Sequence, residues 1–126
     1  MKTIIHTNNA PKAIGPYSQA VAANGMLFVS GQLPVNPETG KIVSGGIKEQ
    51  TEQSLANLQA ILKEAGYTPA NVVKCVCYLS EISNFAQMNE VYAGVFGSES
   101  PARAAFAVKE LPMNSLVEIE AIAIKD

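Results

Sequence analysis

This chain has one histidine, two cysteines, no tryptophan and only 16% charged residues over 126 positions. His6 is the sole imidazole. A Ser-His-Asp triad or a histidine metal cluster would have to be built around this one residue of a short alternating segment, so both chemistries are set aside. Cys75 and Cys77 stand two apart in an apolar stretch, where neighbouring positions of one extended strand bridge badly. With no His or further Cys nearby they read as two small buried hydrophobes, not as metal ligands. No basic run is present, the net charge is −2 and the isoelectric point is about 5.4. Nothing here recruits a phosphate backbone, which speaks against a nucleic-acid partner. No apolar run approaches the roughly 20 residues that span a membrane, and Met1-Lys2-Thr3-Ile4-Ile5-His6 lacks the apolar core of a signal peptide. The expectation is a cytoplasmic protein with no membrane partner.

What is present is ordinary globular material, 48% hydrophobic, with an apolar excess that points to an oligomer interface. The length suits a single domain over 1–126, and a chain of this size buries roughly two-thirds of its unfolded surface without disulfide or metal. Strands are predicted over 20–23 and 26–30, joined by Asn24-Gly25, a strong two-residue hairpin signal. Pro, Asn, Thr-Gly and Gly-Gly punctuate 34–46, which reads as a loop. Ile47, Thr51, Leu55, Leu58 and Leu62 recur at helical spacing, so 47–65 is a helix, with Gly66 placed to cap it. A strand over 72–79 follows. A second helix is predicted through Phe96, with Ser83 as its cap and Phe85, Met88, Tyr92 and Val95 as its apolar stripe.

The last quarter holds two further strands, and each carries charge where strands bury apolar side chains. Arg103 opens the first, within Pro101-Ala102-Arg103, and its planar fork suits a carboxylate. In the second, Glu118 and Glu120 share a face with Leu116, Ile122 and Ile124, because side chains alternate with period 2. A charge on an apolar face is costly unless paired, hydrated or used. The pattern offers a guanidinium to hold an anion and a carboxylate to move a proton; spacing alone does not choose between the two glutamates. Two helices cover only one face of a five- or six-stranded sheet, yet the strands are apolar on both faces. The other face therefore calls for a second subunit.

Pro101-Ala102-Arg103, Leu111-Pro112 and Val117-Glu118-Ile119-Glu120 resemble the C-terminal signature of the Rid family, the reactive intermediate or 2-iminobutanoate/2-iminopropanoate deaminases. Ala13 to Gln19, Ser30-Gly31-Gln32-Leu33-Pro34-Val35-Asn36-Pro37 and Phe85-Ala86-Gln87-Met88-Asn89 are similar to its other blocks, in the same order. The resemblance spans the chain. It implies an α+β, chorismate-mutase-like fold: a mixed sheet of about six strands, two helices on one face, and sheets forming a central barrel in a homotrimer with sites between subunits.

The resemblance also assigns roles. Arg103 and the Gly31 amide bind the substrate carboxylate, and Glu118 deprotonates a water. Tyr17 forms a pocket wall and polar contact, Ser30 ends the strand at the site, and Asn89 lies in or just behind the pocket. Glu120 is left a structural part. Many members carry a cysteine two residues after the arginine. Here it is Ala105, which contributes backbone only and excludes a thiol nucleophile there. The implied activity is hydrolysis of enamines and imines such as 2-aminoacrylate, 2-iminopropanoate and 2-iminobutanoate to 2-oxo acids and ammonia. It needs no metal or organic cofactor, because the iminium carbon is already electrophilic. Two alternatives stand beside it: a non-catalytic trimeric module that binds 2-oxo acids or related carboxylates, and a ribonuclease, against which the acidic balance and lone histidine argue.

Overall fold

The computed structural model describes residues 1–126. Along the chain run β1 (Thr3–Ile5), β2 (Ala20–Ala23), β3 (Met26–Gln32), β4 (Val35–Asn36), β5 (Lys41–Ile42), α1 (Ile47–Ala65), β6 (Val72–Leu79), α2 (Phe85–Phe96), β7 (Ala102–Ala107) and β8 (Val117–Ile124). Asn24 and Gly25 both take positive φ, 52° and 75°, the geometry that matches a tight turn to the strand twist. They pair β2 with β3. Glu49 accepts a hydrogen bond from the Gly46 amide at 2.8 Å and closes the start of α1. Gly66, at φ 84°, ends it, where a side chain would be strained.

Six strands form one mixed sheet in the order β1-β2-β3-β8-β6-β7. Only β6 and β7 pair in parallel, because α2 carries the chain between them as a crossover. Both helices lie on one face and pack on each other. The core sits beneath them. From β8 it takes Val117, Ile119, Ala121 and Ala123, and from α1 Leu55, Leu58, Ile61 and Leu62. Each large aliphatic side chain buried there contributes about 1.5–3 kcal/mol. Cys75 and Cys77 are buried free thiols of this core. Burial pushes both thiols up, Cys77 to about 12, so they stay protonated.

The α+β architecture expected from sequence is therefore observed, with two corrections. The stretch 34–46 is not all loop, since β4 and β5 pair as a short separate hairpin. Strands of two residues leave no alternation for a sequence pattern to register. The second helix starts at Phe85 after a 3₁₀ turn, Ile82–Asn84, and Asn84 rather than Ser83 precedes it, without a side-chain cap. No helix is long and apolar enough to cross a membrane. The sheet face opposite the helices carries Ile4, Phe28, Phe106 and Ile124 at 53%, 44%, 46% and 42% exposure.

Candidate active site

The regular pairing of β3 with β8 breaks between Val29 and Gln32. Irregularities of this kind re-aim a strand, and this one falls on Ser30-Gly31. Glu118 leans from β8 across the gap. A Cβ placed on Gly31 would lie 2.9 Å from the Glu118 Cδ and 3.2 Å from its Cγ. Gly31 does not occupy the left-handed region, so glycine is required here by the carboxylate above it and not by the backbone. Burial, then the charge of Glu120, raises the proton affinity of the half-buried Glu118 above the usual carboxylate range. That moves it toward a proton acceptor useful near neutrality.

Glu118 lines a cleft of about 800 Å³ together with Tyr17, Ser30, Gly31, Gln32 and Met113. Tyr17 stands at the mouth, following a tight turn in which its amide donates to the Gly15 carbonyl at 2.9 Å. The Ser30 hydroxyl is already engaged, donating to the Ser18 carbonyl at 2.6 Å, so it fastens the 6–19 loop to β3. Sequence reasoning missed Gln19. This buried amide accepts from the Thr7 amide at 2.7 Å and donates to the carbonyls of Thr7 at 3.0 Å and Pro11 at 2.9 Å. It builds the wall on which Tyr17 stands. Its place at the end of the Ala13–Gln19 block was the only signal in the sequence.

Arg103 sits elsewhere. In the register it faces Cys75, which in turn faces Ala121, so its side chain rises on the helix-covered face. There its Nη1 donates to the Asn89 Oδ1 at 2.7 Å. The guanidinium lies 4.8 Å from the Tyr92 ring centroid and 5.3 Å from that of Phe85, a favourable arrangement for a cation on a ring face. Asn89 thus orients the arginine and leaves most of its five donors free. Phe85 and Tyr92 read from sequence as core. Their spacing from Asn89, four residues before and three after, places all three on one helix face, and that was the available signal. Burial beside Cys75 raises the proton affinity of Tyr92, so its hydroxyl remains neutral. Ala105 lies in register with Cys77 on the arginine's own face.

The sequence-selected residues therefore form two groups. Glu118, Gly31, Ser30 and Tyr17 gather at the cleft. Arg103, Asn89 and Ala105 gather at the edge strand β7, on the opposite face of the sheet. The cleft that Glu118 lines does not include Arg103. The two glutamates are separated as well. Glu120 accepts a hydrogen bond from the Tyr78 hydroxyl and Glu118 does not. No three His, Cys, Asp or Glu side chains converge in a metal-binding arrangement.

Residues 7–125 match the family model described as Endoribonuclease L-PSP. The chain is 55% identical over 126 residues to a RutC family protein of Pyrococcus horikoshii, covering 100% of both. It is 46% identical over 125 residues to the 2-iminobutanoate/2-iminopropanoate deaminase of Homo sapiens, covering 99% of this chain and 91% of the relative. Its fold is similar to the crystal structure of a Thermotoga maritima protein. There the TM-score is 0.98 and the identity 51%, with 100% of this chain and 99% of the other covered.

Proposed function

Because this chain belongs to the Endoribonuclease L-PSP family, to which the reactive intermediate deaminases also belong, we propose that it is a cytoplasmic 2-iminobutanoate/2-iminopropanoate deaminase. The observation that carries this reading is Glu118, a carboxylate of raised proton affinity seated over Gly31 at the rim of an open cleft. The substrate's own carboxylate is held by the Gly31 amide and by the fork of Arg103. Water attacks the carbon of the protonated imine while Glu118 takes a proton from the water, and the iminium nitrogen becomes a neutral amine. Glu118 then passes that proton to the amine nitrogen of the carbinolamine, which leaves as ammonia while the hydroxyl gives its own proton to Glu118 and on to solvent, leaving the 2-oxo acid. The iminium carbon is electrophilic without assistance, so the chemistry calls for no metal or organic cofactor. A positioned acid–base group contributes on the order of 10²–10⁴-fold.

Arg103 and Glu118 leave their strands on opposite faces, so a complete site combines Arg103 of one copy with Glu118 of another. The apolar face bearing Ile4, Phe28, Phe106 and Ile124 is the surface such copies bury, here as a homotrimer with intersubunit sites. A nuclease, as the family's description words it, is not favoured. The balance is acidic, and the lone His6 is exposed and bonded to Asn8.

The reading is tested by generating 2-iminobutanoate in situ with a threonine dehydratase and following its decay. Faster decay with the protein, together with a trimer mass in light scattering, is expected. Binding of 2-oxobutanoate without faster decay would replace the enzyme by a carboxylate-binding module. A mass of 13.3 kDa would remove the intersubunit site.

Gly31→Ala is expected to keep the fold, since alanine suits the backbone there, and to push the Glu118 side chain off its seat. Imine hydrolysis should fall roughly 10²-fold, the lower end of what a general base contributes. A variant with wild-type turnover would show that the Glu118 position over Gly31 does not matter to the reaction.

A further inference from the structure

Tyr78 on β6 stands directly opposite Glu118 in the sheet register, while Val76 stands opposite Glu120. The Tyr78 hydroxyl nevertheless passes over its direct neighbour and donates to the diagonal one, Glu120 Oε1. Diagonal positions on one face are within reach of an aromatic side chain. Phe106, opposite Tyr78 on β7, packs edge-on against its ring with centroids 5.6 Å apart and planes at 86°, which fixes the ring's direction. The two glutamates of β8 are thereby drawn to different neighbours. Glu118 lies toward β3 over Gly31, and Glu120 toward β6 under Tyr78.

We propose that Tyr78 is a positioning residue for the reaction: by holding Glu120 against β6 it keeps a second carboxylate away from the one above Gly31 and sets how readily Glu118 takes a proton. This rests on the deaminase reading, in which Glu118 is the base. It gives a physical reason why two glutamates that spacing alone does not tell apart would serve different ends.

The surroundings of Glu118 support it. β8 contributes Glu120 and β6 contributes Tyr78, with Lys74 further along opposite Ile122. The loops lining the cleft contribute Lys12, Tyr17 and Glu38. β3, Met26–Gln32, contributes no ionisable side chain. Among these groups the charge of Glu120 is the one that raises the proton affinity of Glu118, after burial. Tyr78 is itself pushed up to about 12, first by its bond to Glu120 and then by burial. It therefore remains a hydroxyl donor throughout the range in which a carboxylate base titrates.

The test is the pH dependence of kcat/KM for 2-iminobutanoate in wild type, Tyr78→Phe, Glu120→Gln and the double variant. Tyr78→Phe keeps the ring and its contact with Phe106 but frees Glu120. The acidic limb should move up by about one pH unit, roughly the effect of losing one hydrogen bond to a charged group. Glu120→Gln should move it down. The double variant should match Glu120→Gln alone, since no charge is left to hold. An unmoved limb in Tyr78→Phe, or a shift that persists in the Glu120→Gln background, would overturn the proposal and make Tyr78 a packing residue. Titration of the Glu118 carboxyl by ¹³C NMR in the same four proteins needs no turnover. A wild type without turnover sinks the deaminase reading, while the same order of Glu118 midpoints would still uphold the Tyr78 contact and equal midpoints would still overturn it.

Discussion

Glu118→Gln is expected to lower kcat/KM for imine hydrolysis roughly 10²–10⁴-fold, the contribution of a positioned acid–base group, and to leave 2-oxobutanoate binding in place. Glutamine matches glutamate in size and still fits over Gly31, but it cannot accept the proton that leaves the attacking water. Binding survives because the Gly31 amide and Arg103 are untouched. It tightens slightly if the lost anion faced the ligand's carboxylate. Glu120→Gln is expected to keep turnover within about tenfold at neutral pH, because its partner is Tyr78 and not the cleft; an effect of this size matches a shifted neighbour and not a lost base. The coupled assay and calorimetric titration on both variants check this. Full activity in Glu118→Gln with loss in Glu120→Gln would reverse the assignment of the two carboxylates.

The same variant carries a signature in stability. In the folded chain Glu118 binds its proton more tightly than an ordinary carboxyl, so across the window from the usual carboxylate range up to its raised value the folded state holds more protons than the unfolded one. Stability falls as pH rises through that window. The penalty is absent below it and complete above it. Glu118→Gln removes the penalty, so its melting temperature should exceed that of wild type at neutral pH and converge with it in acid.

The second large effect concerns Arg103. Arg103→Lys keeps a positive charge but loses the planar fork, the bond to Asn89 in its present geometry and the stacking on Tyr92 and Phe85. Turnover should drop roughly 10- to 100-fold, the effect of a charge-assisted bidentate contact, mostly through weaker carboxylate binding. The fold should persist, because the edge strand β7 keeps its pairing with β6. Mixing decides where the arginine acts. Chains carrying Arg103→Ala and chains carrying Glu118→Gln should each be nearly inactive by themselves. Co-assembled in equal amounts, they should recover about a quarter of wild-type activity, because random pairing of copies joins an intact Arg103 to an intact Glu118 at that fraction of interfaces. A mixture as inactive as its parts would place both residues in one chain's own site.

Local pattern determined a good deal of this protein. The turn at Asn24-Gly25, the helix over Ile47–Ala65 and the strand over Val72–Leu79 follow from positive-φ chemistry, from spacing of three and four, and from β-branched content, each set by residues close together in the chain. The same is true of the even and odd faces of β8, with Val117, Ile119, Ala121 and Ala123 turned to the core and Glu118 and Glu120 turned away. Arg103 and the two glutamates stood out because charge on an apolar strand has a cost that sequence alone reveals. What sequence could not contain is which strand lies beside which, and with what slip. The irregularity at Ser30-Gly31 arises only when β3 meets β8, and only then does Gly31 become the seat of Glu118. The resemblance already favoured Glu118 over Glu120, but the spatial separation of the two came from β6, forty residues earlier, where Tyr78 takes up Glu120 and leaves Glu118 to the cleft. The cradle of Phe85, Asn89 and Tyr92 required α2 to fold over the edge strand. The separation of Arg103 and Glu118 onto opposite faces required the full register, because a period of two tells which residues share a face of one strand and nothing of how that face relates to another strand's.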